Sequence, residues 1–160
     1  MNPRTHVRVP AKINLCLGVG ARRDDGFHSL ATVYQAVDLC DEVGVSPRDD
    51  AELTVLVTRD GAPVTDGTVP VGPDNIVIKA AMLLREHAQR PELGADIAIR
   101  KEIPVAGGMA GGSADAAATL LACNEVWGLG FSREELEPLA AELGSDVPFL
   151  LHGGNALGSG

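Results

Sequence analysis

Residues Ile103 to Ala118 read I-P-V-A-G-G-M-A-G-G-S-A-D-A-A-A, with Gly107, Gly108, Gly111 and Gly112 inside one six-residue window. The preceding segment, Ala95 to Ile103, alternates through Ile97 and Ile99 into the Lys101-Glu102 pair, which predicts a strand. The following segment carries Ala116, Ala117, Leu120, Leu121 and Asn124 at helical spacing and stops near Gly128-Leu129-Gly130. A strand, a glycine loop and a helix start together present backbone N–H groups and the positive end of a helix to phosphate. Glycine suits the loop because it accepts positive φ and lets a ligand approach the backbone closely. The loop is not a Walker A sequence, since no lysine stands between Gly112 and Ser113, and it lacks the spacing of the dinucleotide fingerprint. Ser113 is expected to cap the helix, with Asp115 in the first turn, where a carboxylate favours the positive end. The Gly107/Gly111 and Gly108/Gly112 spacing also occurs in packed membrane helices. Pro104, Asp115 and four glycines within about 20 residues argue against a bilayer span. On the glycines alone, a phosphate cradle and a merely flexible loop both stay open.

The chain has 160 residues, enough for one domain with a real core, with 45% apolar and 22% charged residues. Aromatic residues make up only 3%, so Ala, Val, Leu and Ile must build that core. A formal charge of −9 argues against nucleic acid or an anionic membrane as partner. Any phosphate site must then rest on backbone dipoles, a few basic side chains and a metal ion. Cys16, Cys40 and Cys123 are odd in number and set among apolar neighbours, the pattern of buried thiols in a reducing compartment. His6, His28, His87 and His152 show no metal-ligand spacing. Met1 to Arg8 lacks an apolar signal region, which predicts a cytoplasmic protein.

N-terminal to the glycine stretch, Val7, Val9, Ile13, Leu15 and Leu17 alternate around Pro10 and predict one or two strands. Lys12 and Asn14 lie on the opposite face and point the same way. Taken alone, Lys12 reads as a solvated strand residue. Arg22 to His28 is a turn centred on Asp25-Gly26, followed by Phe27-His28, a flat hydrophobe beside a hydrogen-bonding ring. Leu30 to Leu39, Glu42 to Ser46 and Leu53 to Thr58 continue the strand pattern, and Asp50 to Pro73 reads as a hairpin region. Asp74 is expected to cap a helix from about Asn75 to Gln89, with Ile76, Ala80, Leu83, Leu84 and His87 on its apolar face. C-terminal to the stretch, Ser132 and Glu135 form a capping-box pattern, and Pro138 predicts a kink or a late start. Gly144-Ser145-Asp146-Val147-Pro148 follows, where Asp146 taken alone reads as an N-cap. Leu150 to Gly160 is expected to begin a strand.

Four of these segments occur together and in order in one family. Pro10-Ala11-Lys12-Ile13-Asn14-Leu15, Asp25-Gly26-Phe27-His28, Pro104 to Ala114 and Gly144-Ser145-Asp146-Val147-Pro148 resemble the GHMP kinases. The opening P-A-K-I-N-L, combined with D-G-aromatic-H, resembles the member whose substrate carries cytidine more than it does homoserine or mevalonate kinases. Phe27 stands where that member commonly has tyrosine, so stacking is kept and a phenol hydrogen bond is not. The resemblance implies an α+β fold, the ribosomal-protein-S5 domain 2-like N-terminal domain of a GHMP kinase, with a mixed sheet and helices packed on one face. It also implies that residues 1–160 form the N-terminal, ATP-binding domain and that family members continue into a second domain beyond this length.

The same resemblance implies the roles of individual residues. Lys12 and Asp146 would be the catalytic pair. Pro104, Val105, Ala106, Gly107, Gly108, Met109, Ala110, Gly111, Gly112, Ser113 and Ala114 would wrap the phosphates of ATP, with Ser113 near Mg²⁺ or the β-phosphate. Asn75 and Lys101 would lie near the adenosine end. Asn14 and His28 would hold the substrate, a cytidine diphosphate-linked methylerythritol, with Phe27 stacked on cytosine. No side chain is assigned to the metal by sequence. Two other readings stay open: a GHMP kinase for a different small alcohol, and a non-catalytic nucleotide-binding module.

Overall fold

The computed structural model describes residues 5–22 and 28–159. Its elements in chain order are β1 (Thr5–Arg22), β2 (His28–Arg48), β3 (Leu53–Arg59), β4 (Ala62–Pro63), α1 (Ile76–His87), β5 (Gly94–Arg100), α2 (Gly111–Val126), α3 (Arg133–Leu143), α4 (Val147–His152) and β6 (Asn155–Ser159). They form one mixed sheet in the order β1-β2-β5-β3-β4, with β6 also paired to β2. Only the β3–β5 pair is parallel; the other pairings described are antiparallel. Strand β2 is the organising element. β1 runs along one side of it, while β6 takes residues 31–35 of its other side and β5 takes residues 42–48.

Alternation decides which face the helices cover. Val43, Val45, Ile97, Ile99 and Val57 point to one face and are buried. That face belongs to a core shared with Ala80, Leu84, Ala117, Leu120, Leu136 and Leu151 from the four helices. The opposite face carries Glu42 bonded to Arg100, and Arg48 bonded to Asp96, and remains polar. Helix α2 is the central helix. Nine of its residues, from Ala114 to Cys123, are buried. Its alanines let neighbouring elements approach closely on several sides, as a helix surrounded by protein requires.

Several local expectations need correction. β1 is one continuous strand, and Pro10 sits at a shift of register between Pro10 and Ala11, where a residue without an N–H is tolerated. Leu15 and Leu17, set by alternation on the apolar face of the strand, are 58% and 56% exposed. Alternation reports a preference for burial and not what covers the face. Helix α1 is capped by Asn75, not Asp74: Asn75 is extended and its side chain accepts the Val77 N–H. The buried face of α1 is accordingly Val77, Ile78, Ala80, Ala81 and Leu84, while His87 packs edge-on against Phe131. Helix α3 begins at its capping box and runs through the exposed Pro138, so no late start occurs. Leu150 to His152 belong to α4, and the last strand begins only at Asn155. Of the cysteines, Cys123 is buried, Cys40 is intermediate and Cys16 is exposed. Among the described residues no helix is long and apolar enough to cross a membrane.

Candidate active site

The glycine loop leaves β5 and enters α2 with three consecutive reversals of backbone hand: Ala106, Gly108 and Ala110 all have positive φ. At Gly108, with φ of +71°, a Cβ would meet nothing within 4 Å, so the backbone there faces open space. Helix α2 starts at Gly111, and Ala110 at the N-cap offers no side-chain hydrogen bond. The expected cap, Ser113, is instead the third residue of the helix. The first amides of a helix have no partner within it, so an uncapped start leaves donors for a ligand.

These amides border a cavity of about 410 Å³. Val105, Ala106, Ala110, Gly111, Gly112 and Ser113 line one side, and Asn75 and Lys101 line it as well. Pro104 lines an adjoining hollow with Arg59 and Glu102. Asn75 is 3% exposed and its side chain is engaged twice, accepting from Val77 N–H and donating to the Pro70 carbonyl. Lys101 is not free either. Its Nζ donates to Asp41 Oδ2 at 2.5 Å and to Asp115 Oδ2 at 2.8 Å. Asp115 therefore does not support the helix N-terminus from the first turn, as expected; it is buried one step further along α2 and faces a lysine. Burial pushes the Asp115 carboxyl above its usual value, against the opposing pull of Lys101 and with a smaller push from Asp41. Burial works to lower Lys101, but the two carboxylates outweigh it and raise the ammonium above its usual value.

Lys12 and Asp146 are not among the cavity's lining residues. Lys12 reaches the loop from β1, where its N–H donates to the Met109 carbonyl at 3.1 Å, and Asp146 comes from the start of α4. The Lys12 ammonium lies 3.4 Å from Asp146 Oδ2, with side chains only 9% and 23% exposed. It also donates to Asn14 Oδ1 at 2.9 Å; Asn14 donates on to Thr32 Oγ1, and Thr32 to the Cys16 carbonyl. Asp146 occupies the N-cap position of α4 but makes no side-chain cap bond. Its carboxylate is directed to the lysine instead of to the helix backbone.

One residue of this cluster was missed by sequence reasoning. Tyr34, the chain's single tyrosine, stacks on Phe149 of α4 at 5.1 Å between centroids and lies 5.4 Å below the Lys12 ammonium. Partial burial, the Asp146 charge and a hydrogen bond to Asp146 raise its phenol above the usual value. A lone phenol inside an otherwise apolar strand was the available signal. Asp41 was missed too, although an acid closing the apolar run of β2 could have marked it. The structure thus brings Lys12, Asn14 and Asp146 together at one side of the loop and Asn75, Lys101 and Ser113 at the other. Phe27 lies outside the described residues, and of His28 the backbone alone is described, as the first residue of β2.

Residues 75–154 match the family described as GHMP kinases N terminal domain. The chain belongs to the GHMP kinases. Among its relatives, proteins named 4-diphosphocytidyl-2-C-methyl-D-erythritol kinase from Salinispora arenicola (strain CNS-205) and Nocardia farcinica (strain IFM 10152) are 54% and 55% identical, each over 96% of this chain. The matches cover 47% and 48% of those proteins, so the chain spans about half the length of these relatives. A crystal structure of 4-(cytidine 5'-diphospho)-2C-methyl-D-erythritol kinase superposes with a TM-score of 0.77 at 35% identity, over 98% of this chain and 52% of that one. The mevalonate kinase of Methanococcus jannaschii, at 15% identity, shares the fold with a TM-score of 0.72 over 97% of this chain and 53% of that one.

Proposed function

We propose that the chain is the N-terminal, ATP-binding half of a kinase that transfers the γ-phosphoryl group of ATP to the 2-hydroxyl of 4-diphosphocytidyl-2-C-methyl-D-erythritol. The observation that carries the proposal is the Lys12 ammonium 3.4 Å from the Asp146 carboxylate, bonded through its own backbone to the glycine loop. Phosphoryl transfer asks a protein for positioning and for charge stabilisation more than for covalent chemistry. Asp146 accepts the hydroxyl proton, or orients the hydroxyl, as the oxygen attacks phosphorus and the bond to the β-phosphate oxygen breaks. Lys12 offsets negative charge on the transferring group and, with Asn14, fixes the direction of Asp146. The open amides at the start of α2 and the cradle around Gly108 receive the phosphates.

Among the described residues no group of three or more His, Cys, Asp or Glu side chains stands ready as a metal cage. That fits Mg²⁺, which keeps several waters and takes one or two protein ligands beside phosphate oxygens. The Ser113 hydroxyl, on the cavity wall, would hold the ion or the β-phosphate, and the ion's chemistry is to neutralise charge between the β- and γ-phosphates. Asn14, Phe27 and His28 are assigned to the cytidine-bearing substrate, and a cytoplasmic location is part of the same proposal.

The test is phosphoryl transfer from Mg·ATP to this alcohol, measured on the chain and on a version extended to the relatives' length. Turnover by the extended version is the expected result. ATP binding without turnover on this alcohol would reject the substrate and leave a kinase for another alcohol; binding without turnover on any alcohol would favour a non-catalytic module. Phe27→Ala should raise KM for the cytidine substrate by about tenfold through lost stacking and leave KM for ATP unchanged. An equal effect on both would remove Phe27 from the cytosine site. Tyr34→Phe keeps the ring against Phe149 and Lys12 while deleting the phenol. It should lower kcat by about five- to tenfold, the value of one hydrogen bond, with KM for ATP unchanged. An unaltered kcat would show that the phenol does not orient Asp146.

A further inference from the structure

The ammonium assigned by resemblance to the nucleotide is already bonded twice inside the protein. Lys101 is the first residue after β5, and Asp115 stands on α2 beyond the glycine loop, so the Lys101–Asp115 bond joins the two ends of that loop. Asp41, from β2, fixes the same point against the sheet. Its Oδ2 accepts from Lys101 Nζ, and its Oδ1 accepts the backbone N–H groups of Glu102 at 2.7 Å and Ile103 at 2.9 Å. Lys101, Asp41 and Asp115 are 4%, 0% and 4% exposed. From these bonds we infer that Asp41, Lys101 and Asp115 form an ionic clasp across the base of the glycine loop, and that Lys101 is a positioning residue whose ammonium sets the loop's conformation for the nucleotide.

Three features support a clasp over an ordinary buried pair. A Cβ on Gly111 would lie 3.1 Å from Lys101 Nζ, so the ammonium is packed directly under the first residue of α2. Removing Lys101 would leave Asp41 and Asp115 as two buried carboxylates without their cation. Asp115 Oδ1 is buried without a hydrogen-bond partner, so the Lys101 ammonium is the cation that holds this carboxyl group in place. Two of the ammonium's three N–H donors are therefore committed inside the protein.

This inference rests on the reading of the loop as an ATP site, and a double-mutant cycle tests it apart from that reading. In the chain extended to the relatives' length, Mg·ATP binding is measured by calorimetry for Lys101→Met, Asp115→Leu and the double variant. Each single change should raise Kd by about tenfold, and the double should be no worse than Lys101→Met alone, because residues acting as one unit are non-additive. Losses that multiply in the double variant would overturn the clasp and return Lys101 to direct contact with the nucleotide. Asp115→Asn, which keeps an acceptor for Lys101, should hold Kd within about threefold of wild type and guards against misfolding of the apolar variant. Damage equal to that of Asp115→Leu would overturn the inference. Amide exchange of residues 104–112 without ligand supplies an independent readout: faster exchange in Lys101→Met supports the clasp, and unchanged exchange rejects it. Failure of the wild type to bind Mg·ATP would sink the ATP reading and leave the clasp to be decided by exchange.

Discussion

Asp146→Asn should lower kcat by about 10²-fold or more, within the range that a positioned general base supplies, while Mg·ATP affinity stays within about threefold of wild type. The structure separates the two quantities. Asp146 makes no side-chain cap bond to α4 and lines no part of the cavity beside the glycine loop. Its replacement removes neither a cap nor a nucleotide contact. Lys12 retains Asn14 Oδ1 as an acceptor at 2.9 Å, so the substitution does not strand a buried cation, which is the usual reason that breaking an ion pair unfolds a protein. The amide is close to isosteric and the side chain is partly exposed, at 23%, so thermal stability should change little. What the amide lacks is the ability to take the hydroxyl proton. A 10²-fold loss corresponds to about 2.7 kcal/mol of transition-state stabilisation, more than one surface ion pair is worth. Steady-state kinetics with both substrates varied, together with calorimetry for ATP, would decide it. Retention of most of the rate would show that Asp146 is not the base, and a parallel loss of ATP affinity would show that it acts through the nucleotide site.

The parts of this molecule legible in sequence were those governed by local chemistry. The capping box at Ser132 and Glu135, the strand entering the glycine loop and the helix leaving it all follow from spacing along the chain; the capping box appears where expected, while the strand ends at Arg100 and the helix starts at Gly111, ahead of the expected cap Ser113. The proposed catalytic pair was reached through family motifs alone, because no local rule brings a strand residue near the N-terminus to the start of α4. That approach depends on β2, which aligns β1 beside it and puts Tyr34 against Phe149. The errors share a cause. Leu15 and Leu17 alternate as core residues do, yet burial depends on what covers the face. Ser113 and Asp115 have the residue types of a helix N-terminus, yet α2 starts at Gly111 and Asp115 is drawn to a lysine on another element. Lys101 was assigned to the adenosine end of the nucleotide by resemblance, and it does line the cavity. Its two carboxylate partners come from β2 and α2, so its engagement was invisible until those elements were assembled.

Gly111→Val should abolish measurable Mg·ATP binding or weaken it by at least about tenfold, and lower Tm by several degrees. The argument is steric before it is functional. A Cβ at residue 111 would stand 3.1 Å from both Ile103 Cγ2 and Lys101 Nζ. Neither neighbour can give way cheaply. Ile103 is 2% exposed within the core, and the ammonium is bonded to Asp41 and Asp115. A β-branched side chain therefore either displaces the lysine or unwinds the first turn of α2, and overpacking of this kind costs about 1–3 kcal/mol. Both outcomes move the amides that face the cavity. Gly108 supplies the contrast. Its φ of +71° disfavours a side chain, but a Cβ there meets nothing within 4 Å. Gly108→Ala should thus carry only the backbone penalty of about 1 kcal/mol, with the core and the lysine undisturbed. Thermal unfolding and ATP titration of the two variants side by side distinguish the cases. If Gly111→Val melted and bound like wild type, the start of α2 would not be held against Lys101 as described. Loss of binding in Gly108→Ala with retained binding in Gly111→Val would take the phosphates from the helix start and leave them to the cradle around Gly108 alone.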